Sequence, residues 1–499
     1  RPFVAQRLSL QASPLRKSSG PLSPWARAAG GGRRRAAEPA TGELHRRSAA
    51  RHLFDEMDPG REGARIKRRA VEGDVDLFSK LPDDLLRHVL SYLPSRKAVQ
   101  TCVLGRRWRH QWKELRSLRV TNDKDFDNAN HLNKFVNYLL VLRNRSSKLD
   151  VVDIKTYQGD DEDWEEEFRY IDVWIRRALE LEVKALRVCH HSYWILDEES
   201  TMIKCLLPNT PIASTHLVKL ELIHVKLKDH ALDFSRCPAL KYLKMVFCNL
   251  SANKIVSLSL KYLSFTYCKF KKIRTRISTP RLISLELVDC LGRTPFLESM
   301  PLLVSAFVRL TKCSDCCSNN YEIGGCGTDS CEGCTGGNIG NNSCVLLQGL
   351  SSSAHLELTA KPTVFIFRKD LTYCPVFSKL KTLLLNDWCI TVGLDPLICF
   401  IQHSPALEKL ILQLPEIHED LKDMGVSYDI KKQSFVSKNL TVEVKCHEQD
   451  GLVHKILEVL SSCGIPNEKI KILPPARQIR SRCNNPWPPG SLSFEQERT

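Results

Sequence analysis

The chain has 499 residues, of which 42% are hydrophobic and 26% are charged, and its formal net charge is +16. This length is too great for one compact core and predicts about three structural units. The sequence contains no run of about 18 apolar residues and no apolar secretory segment, which argues against a membrane-spanning or secreted protein.

The basic charge is concentrated at the amino-terminal end. Before Met57, eleven Lys and Arg residues stand against four Asp and Glu residues, so 11 − 4 = +7 of the +16 lies there. The remaining +9 is spread over the rest of the chain. Nucleic-acid-binding proteins normally present a concentrated basic surface, so direct binding of nucleic acid is disfavoured.

Residues 1–56 are rich in Arg, Ala, Gly, Ser and Pro without hydrophobic periodicity, which predicts a disordered leader. Three interpretations stay open: an unnatural extension ahead of a start at Met57, an organelle transit peptide, or a genuine tail. Residues 57–76 are expected to form a linker, and its basic run Arg65–Arg69 is either a nuclear import signal or a solvated charge run. We expect the protein in the nucleus, the cytoplasm or both.

Residues 77–118 carry the pattern of three short amphipathic helices. Pro82 suits the first position of a helix, and leucine and valine residues then recur at steps of three and four. Ser95 is expected to cap the second helix, and Trp108 and Trp112 mark one face of the third. Because so small a unit cannot hide all of these side chains, an apolar face should be left for a partner.

The string LPDDLLRHVLSYLPSRKAVQTCVLGRRWRHQW resembles an F-box, in particular that of plant F-box/leucine-rich-repeat/FBD proteins. The resemblance rests on four features: Leu81-Pro82, Leu93-Pro94, Val103-Leu104 and Arg106-Arg107-Trp108. It implies docking on a Skp-family adaptor and, through it, on a cullin and a RING subunit. Gln111 departs from the small or apolar residue expected beside Trp112. The positions that match the family's contact and core pattern are Leu81, Pro82, Leu85, Leu86, Val89, Leu90, Leu93, Pro94, Val103, Leu104 and Trp108.

Residues 130–369 contain a repeat of the form L-x-x-L-x-L-x-x-N/C-x-L, which predicts a leucine-rich-repeat α/β solenoid. Its second leucine falls at Leu220, Leu243, Leu263 and Leu285, so the steps are 23, 20 and 22 residues. The pattern is then interrupted and resumes at Leu380. Alternation along each strand places every second residue on an outward, concave surface that would bind a protein substrate. The candidates on that surface are Lys219, Glu221, Tyr242, Lys244, Tyr262, Ser264, Ser284 and Glu286.

The twenty cysteines fall into two groups. Most stand singly in apolar patterns and are expected to be buried free thiols in a reducing compartment. A cysteine-rich insertion at residues 313–344 is different, because Cys313 with Cys316 and Cys331 with Cys334 have the spacing of a zinc site. A disordered, thiol-rich insertion explains the same pattern, and the sequence assigns no cofactor.

Residues 370–473 resemble the FBD region that ends the same plant family. The resemblance lies in FSKLKTLLL from Phe377, in Trp388-Cys389 and in HSPALEKL from His403. This region is expected to cap the far end of the solenoid. Residues 474–499 are rich in proline and are expected to be a disordered tail.

The sequence lacks a P-loop, a G-x-S-x-G motif and an H-E-x-x-H motif, and His190-His191 has no placed carboxylate partner. The chain is therefore not expected to be an enzyme. The resemblance implies the substrate-recognition subunit of an SCF-type (Skp, cullin, F-box) ubiquitin ligase. Two alternatives stay open: a scaffold that binds the adaptor without directing ubiquitination, and a zinc-dependent nucleic-acid binder.

Overall fold

The computed structural model describes residues 80–121, 126, 129–144, 146–157, 164–191, 211–228, 232–270, 274–311, 344–361, 366–371, 373–390, 394–414, 439–447 and 451–474. The predicted leader, the predicted linker and nearly all of the predicted tail lie outside these residues. So do the four candidate zinc ligands of the insertion, Cys313, Cys316, Cys331 and Cys334. No helix among the described residues is both long and apolar enough to cross a bilayer.

The chain begins, within the described part, with a helical segment of residues 80–114. Helix α1 spans Asp83–Leu90 and helix α2 spans Ser95–Gln100. Two 3₁₀ helices follow, Thr101–Leu104 and Trp108–Glu114. The segment predicted as the third helix is a 3₁₀ helix. The first helix ends before Pro94, because a proline disfavours helical backbone in the residue that precedes it.

A parallel sheet of thirteen strands follows, in which each strand pairs with the next along the chain. Its strands are β1 (Ser117–Thr121), β2 (Val151–Tyr157), β3 (Ala185–His191), β4 (Lys219–Ile223), β5 (Tyr242–Val246), β6 (Tyr262–Thr266), β7 (Ser284–Val288), β8 (Ser305–Leu310), β9 (His355–Ala360), β10 (Thr382–Asn386), β11 (Lys409–Gln413), β12 (Thr441–Lys445) and β13 (Ile470–Leu473). This order is what a repeated unit gives when each copy stacks on its neighbour.

The connections between the strands change character along the sheet. The longer helices are α3 (Ala129–Leu142), α4 (Trp164–Glu180), α7 (Asp395–Gln402) and α8 (Gly451–Ser462), and the shorter ones are α5 (Leu347–Leu350) and α6 (Ile366–Leu371). In the middle, short strands replace helices and form two small parallel sheets. One contains Lys226–Lys228, Asn249–Ser251 and Lys269–Phe270, and the other contains Lys254–Val256, Arg276–Ser278 and Phe296–Leu297.

The predicted repeat register is confirmed. Leu220, Leu243, Leu263 and Leu285 are direct neighbours on β4, β5, β6 and β7, and all four are buried. Two further strands, β8 and β9, occupy the interval that sequence spacing treated as an interruption. Because β8 has Ala306 where the template has leucine, its strand lacks the signal that the other repeats carry.

Three cysteines of the repeat confirm the expectation of buried free thiols. Cys248, Cys268 and Cys290 follow β5, β6 and β7, and all are buried and unpaired by disulfides. Each thiol donates to a carbonyl of the preceding repeat, at 3.2 Å from Leu222 O, 3.3 Å from Met245 O and 3.7 Å from Phe265 O. Burial raises the pKa of Cys290 to about 12, so this thiol stays protonated and unreactive at neutral pH.

The chain turns through left-handed backbone at the same point of four successive repeats. His224, Phe247, Tyr267 and Asp289 follow β4 to β7 with φ between 48° and 54°. The first three rings stack, with centroids 4.8 Å apart for His224 and Phe247 and 4.9 Å apart for Phe247 and Tyr267. Left-handed backbone costs about 1–2 kcal/mol for a residue with a side chain. The stacking offsets part of that strain.

Candidate functional site

The helical segment of residues 80–114 divides its apolar residues into a buried set and an exposed set. Leu86 and Leu90 of α1 are buried, together with Ala98, Val99 and Trp112. Leu90 belongs to a cluster of buried side chains that continues into the sheet. These residues therefore hold the segment together, and their substitution would test folding rather than partner contact.

The exposed set lies on the outer side of α1 and on the 3₁₀ helix after α2. Val103 is 83% exposed and Leu104 is 66% exposed, while Leu85 and Val89 are 49% and 46% exposed. Leu85 and Val89 are four residues apart and so share one side of the helix. Such a concentration of exposed branched apolar side chains in about twenty residues marks a surface for a partner.

The remaining predicted positions fall between these extremes. Pro82 and Leu93 are exposed, whereas Leu81, Pro94 and Trp108 are half-buried. The eleven predicted positions are thus not one surface. Six are exposed, three are half-buried, and Leu86 and Leu90 are interior.

Arg107 fixes the start of α1. Its guanidinium donates to Asp83 Oδ1 at 2.8 Å through Nε and also donates to the carbonyl oxygen of Leu81. The Arg107 guanidinium, assisted by Gln111, holds the pKa of the Asp83 carboxyl below its ordinary value. The carboxylate also lies in the first turn of the helix, where the helix dipole favours negative charge.

Gln111 stands where a small or apolar residue was expected, and its polar side chain makes hydrogen bonds inside the F-box. Its side chain is buried, and its Oε1 accepts a hydrogen bond from Arg87 Nε at 2.9 Å. Its Nε2 donates to the carbonyl oxygen of Arg107 at 3.3 Å. Arg87 also pairs with Glu114 at 2.7 Å. Gln111 therefore links α1 to the 3₁₀ helix Trp108–Glu114 through satisfied hydrogen bonds.

The helical segment is bonded directly to the first strand of the sheet. Ser95 Oγ accepts a hydrogen bond from the backbone N–H of Arg119 at 2.9 Å. The carbonyl oxygen of Ser91 accepts from Ser117 Oγ at 2.7 Å and from Arg119 Nε at 3.0 Å. The expectation that Ser95 caps α2 is wrong, since Pro94 is the capping residue and Ser95 makes no cap hydrogen bond.

A buried charged row begins at this junction and was missed by sequence reasoning. Arg119, Asp153, Arg187 and Glu221 are register neighbours on β1 to β4. Asp153 accepts from Arg187 at 2.8 and 2.6 Å and lies 3.3 Å from Arg119. Asp153 and Arg187 are each only 2% exposed. The signal in the sequence was a charged residue with an apolar residue on either side, which recurs in all four strands.

His190 has a structural role in the sheet. It lies in β3, its side chain is buried, and its Nδ1 is 2.9 Å from Thr156 Oγ1 on β2. This contact joins neighbouring strands, as a cross-strand polar pair does.

The eight predicted outward residues occupy two register rows on the face of the sheet opposite the buried leucines. We call this surface the ladder face. One row contains Lys219, Tyr242, Tyr262 and Ser284, and the other contains Glu221, Lys244, Ser264 and Glu286. Alternation along the strands thus placed all eight on the expected face.

Only part of the ladder face is accessible. Lys219, Glu221 and Ser264 are buried, and Lys219 Nζ pairs with Glu221 Oε1 at 3.0 Å. Tyr242 and Tyr262 are half-buried and stack with ring centroids 4.8 Å apart. The other accessible members of the eight, all half-buried, are Lys244, Ser284 and Glu286.

Comparison with known proteins identifies the helical segment. Residues 78–119 match the F-box domain. The match covers α1, α2, both 3₁₀ helices and the start of β1. The chain therefore has an F-box domain near its amino-terminal end, joined to an α/β region with a parallel sheet.

Three similar proteins come from plants. A putative F-box/LRR-repeat protein of Arabidopsis thaliana is 24% identical over 482 residues, which cover 82% of this chain and 98% of that protein. The Arabidopsis F-box/LRR-repeat protein 13 is 33% identical over 190 residues, covering 38% and 39%. The MEIOTIC F-BOX protein MOF of Oryza sativa subsp. japonica is 27% identical over 356 residues, covering 68% and 71%.

Proposed function

We propose that the chain is the substrate-recognition subunit of an SCF-type ubiquitin ligase, with its F-box docked on a Skp-family adaptor. F-box domains generally bind adaptors of this type. The observation that carries the proposal is the exposure of Val103 and Leu104, together with that of Leu85 and Val89, in a domain whose interior is already formed by other apolar residues such as Leu86.

The size of the exposed set suits a docking surface. Fully burying one such side chain contributes about 1.5–3 kcal/mol, so Val103 and Leu104 would supply about 3–6 kcal/mol together. Association itself costs about 4–15 kcal/mol, so these two residues do not suffice for stable docking. We therefore expect Leu85 and Val89 on α1 to be covered by the adaptor as well.

The ladder face is the proposed site for the protein substrate. Its accessible part pairs two stacked aromatic rings, Tyr242 and Tyr262, with charges of both signs at Lys244 and Glu286. Tyrosine gives large contact area at low cost in conformational entropy. Mixed charges would select among substrates more than they would add affinity.

The proposed mechanism requires no bond chemistry by this chain. The F-box would hold it on the adaptor, and the ladder face would hold the substrate. A substrate lysine is then kept at high effective concentration beside the ubiquitin-charged enzyme, which accelerates transfer by proximity. The direct bonds between Ser91, Ser95 and β1 suit this role, because they fix the F-box to the sheet without a free linker.

Residues 370–473 are proposed as an FBD-type cap. They contribute β10 to β13, the last four strands of the sheet, and β13 pairs on one side with β12. Ile470 and Ile472 of β13 are half-buried and pack against the core cluster. A terminal repeat in that position shields the apolar interior of the stack from water.

The proposed location is the nucleus, the cytoplasm or both. The twelve described cysteines are all free thiols, which suits a reducing compartment. A fluorescent fusion of the full chain found only in the secretory pathway or in an organelle would overturn this assignment.

One experiment distinguishes the ligase subunit from the alternative function, a scaffold that binds the adaptor without directing ubiquitination. Tagged full chain is expressed in plant cells with and without a proteasome inhibitor, beside the variant Leu104→Glu. The proposal expects cullin to co-purify with the wild-type chain only, and captured partner proteins to gain ubiquitin chains and accumulate on inhibition. Cullin co-purification without any change in partner ubiquitination or abundance would contradict the ligase and favour the scaffold.

A further inference from the structure

A cluster of soft metal ligands lies far along the sheet, away from the F-box and the ladder residues discussed above. Cys374, Cys399 and His403 each place a potential ligand atom within 4.8 Å of the other two. All three residues are half-buried, so an ion could reach them from solvent. Neither cysteine is in a disulfide.

Two of the ligands come from one turn of helix. Cys399 lies in α7, and His403 is the residue that ends it. Residues four apart lie on the same side of a helix, so the thiol and the imidazole face the same point. Cys374 comes from the segment between α6 and β10, and it brings the second sulfur from the preceding repeat.

One of the three ligand–ligand distances fits a tetrahedral zinc site. Zinc binds thiolate sulfur at about 2.3 Å and imidazole nitrogen at about 2.0–2.1 Å, which separates the two ligand atoms of a tetrahedron by about 3.6 Å. Cys399 Sγ and His403 Nδ1 are 3.6 Å apart. The remaining separations, within 4.8 Å, would close by small side-chain rotations.

The hydrogen bonds that the cluster makes without a metal would compete only weakly with metal binding. His403 Nδ1 lies 2.8 Å from the carbonyl oxygen of Cys399, to which it donates. Coordination through Nδ1 would exchange this hydrogen bond and the 3.6 Å contact with Cys399 Sγ for a metal bond. Two thiolates also neutralise a divalent cation, so the loaded site would bury no net charge.

A neighbouring thiol is already used elsewhere. Cys344 donates to the carbonyl oxygens of Tyr373 and Asp370, at 2.9 and 3.3 Å. It therefore stands beside the cluster without joining it. The described residues thus supply three ligands, and water would complete the tetrahedron.

We propose that Cys374, Cys399 and His403 form a zinc-binding site that ties the segment before β10 to helix α7. This proposal is independent of the proposed function, because it concerns neither adaptor nor substrate. The bound ion would join two successive repeats, and both repeats follow the cysteine-rich insertion in the chain.

The test measures zinc in the full chain, purified under reducing conditions and equilibrated with Zn²⁺. Because cysteines in residues 313–344 could bind metal as well, the informative quantity is the difference between variants. The double variant Cys374→Ser with Cys399→Ser should lose about one zinc per chain relative to wild type. Cys102→Ser removes a half-buried free thiol in the F-box, and it should keep the wild-type zinc content.

A second measurement guards against misfolding of the double variant. His403→Gln leaves both cysteines in place, and with Co²⁺ it should lose part of the near-ultraviolet thiolate-to-cobalt absorption of the wild type. Circular dichroism should show folded protein for every variant, and Zn²⁺ should raise the Tm of wild type by more than it raises that of the double variant. Equal zinc content in wild type and double variant, no zinc in wild type, or a Cys374–Cys399 disulfide in the reduced preparation would overturn the proposal.

Discussion

The backbone N–H of Arg119 donates a hydrogen bond to Ser95 Oγ over 2.9 Å, and this contact joins the F-box to the first strand of the sheet. The apolar core crosses the same junction, since Leu90 and Trp112 belong to one buried cluster with Leu118. The F-box and the thirteen-stranded sheet therefore share one apolar core.

A fragment of residues 57–116, which ends before β1, should lack a stable tertiary fold because it loses the sheet that shares a buried core with Leu90 and Trp112. We expect a weak near-ultraviolet circular dichroism signal from Trp108 and Trp112 and no cooperative thermal transition. The full chain is the control. A fragment with a sharp transition and a native-like tryptophan signal would contradict the shared core.

Substitution inside the F-box should separate folding from docking. Leu86→Ala is expected to destabilise the chain by about 2–5 kcal/mol, because it removes buried contacts and leaves a cavity. Leu104→Ala should change the free energy of unfolding by no more than about 0.5 kcal/mol, since the side chain is mostly exposed. Chemical denaturation of the full chain measures both. Comparable losses at the two positions would show that the burial division is wrong.

The pair Asp153 and Arg187 should be costly to break. Asp153→Ala leaves the buried Arg187 guanidinium without its carboxylate, which is expected to cost about 3–5 kcal/mol. The exposed pair Asp172 and Arg176 on α4 is the matched control, and Asp172→Ala should cost no more than about 1 kcal/mol. Denaturant midpoints that shift equally for the two variants would contradict the buried charged row.

At the left-handed turns, a glycine variant should be more stable than an alanine variant, which is the reverse of the usual order of stability. Phe247 has φ 51°, so Phe247→Ala should be about 1 kcal/mol less stable than Phe247→Gly, because only glycine adopts this backbone without strain. Val173 in the middle of α4 is exposed and provides the control. There the alanine variant should be the more stable by about 1 kcal/mol. If alanine is also the more stable residue at 247, the turn is not strained as described.

Leucine spacing predicted the sheet register, because a side chain of the same size fills the same buried position in each of these repeats. Leu220, Leu243, Leu263 and Leu285 align for that reason. The same logic failed at β8, where Ala306 fills a leucine position and the spacing signal disappears.

The spacing of apolar residues did not predict which residues of the F-box are buried. Leu85 and Leu86 are adjacent and identical in type, yet Leu86 is buried and Leu85 is half exposed. The difference depends on what packs against each side of α1, which a single sequence does not state. The pairing of Asp153 with Arg187 was hidden for a similar reason, since 34 residues separate the partners.

Adaptor affinity tests the central claim most directly. Leu104 of the F-box is 66% exposed and Leu258 in the repeat region is 63% exposed, so a leucine-to-glutamate change is chemically the same at both positions. Binding of the full chain to a plant Skp-family adaptor is measured by calorimetry at one salt concentration. Leu104→Glu should raise the Kd by about tenfold or more, which is a loss of about 1.4 kcal/mol of binding free energy. Leu258→Glu should have the Kd of wild type. A Leu104→Glu variant that binds as tightly as wild type, or equal weakening by both variants, would contradict docking through the exposed F-box residues.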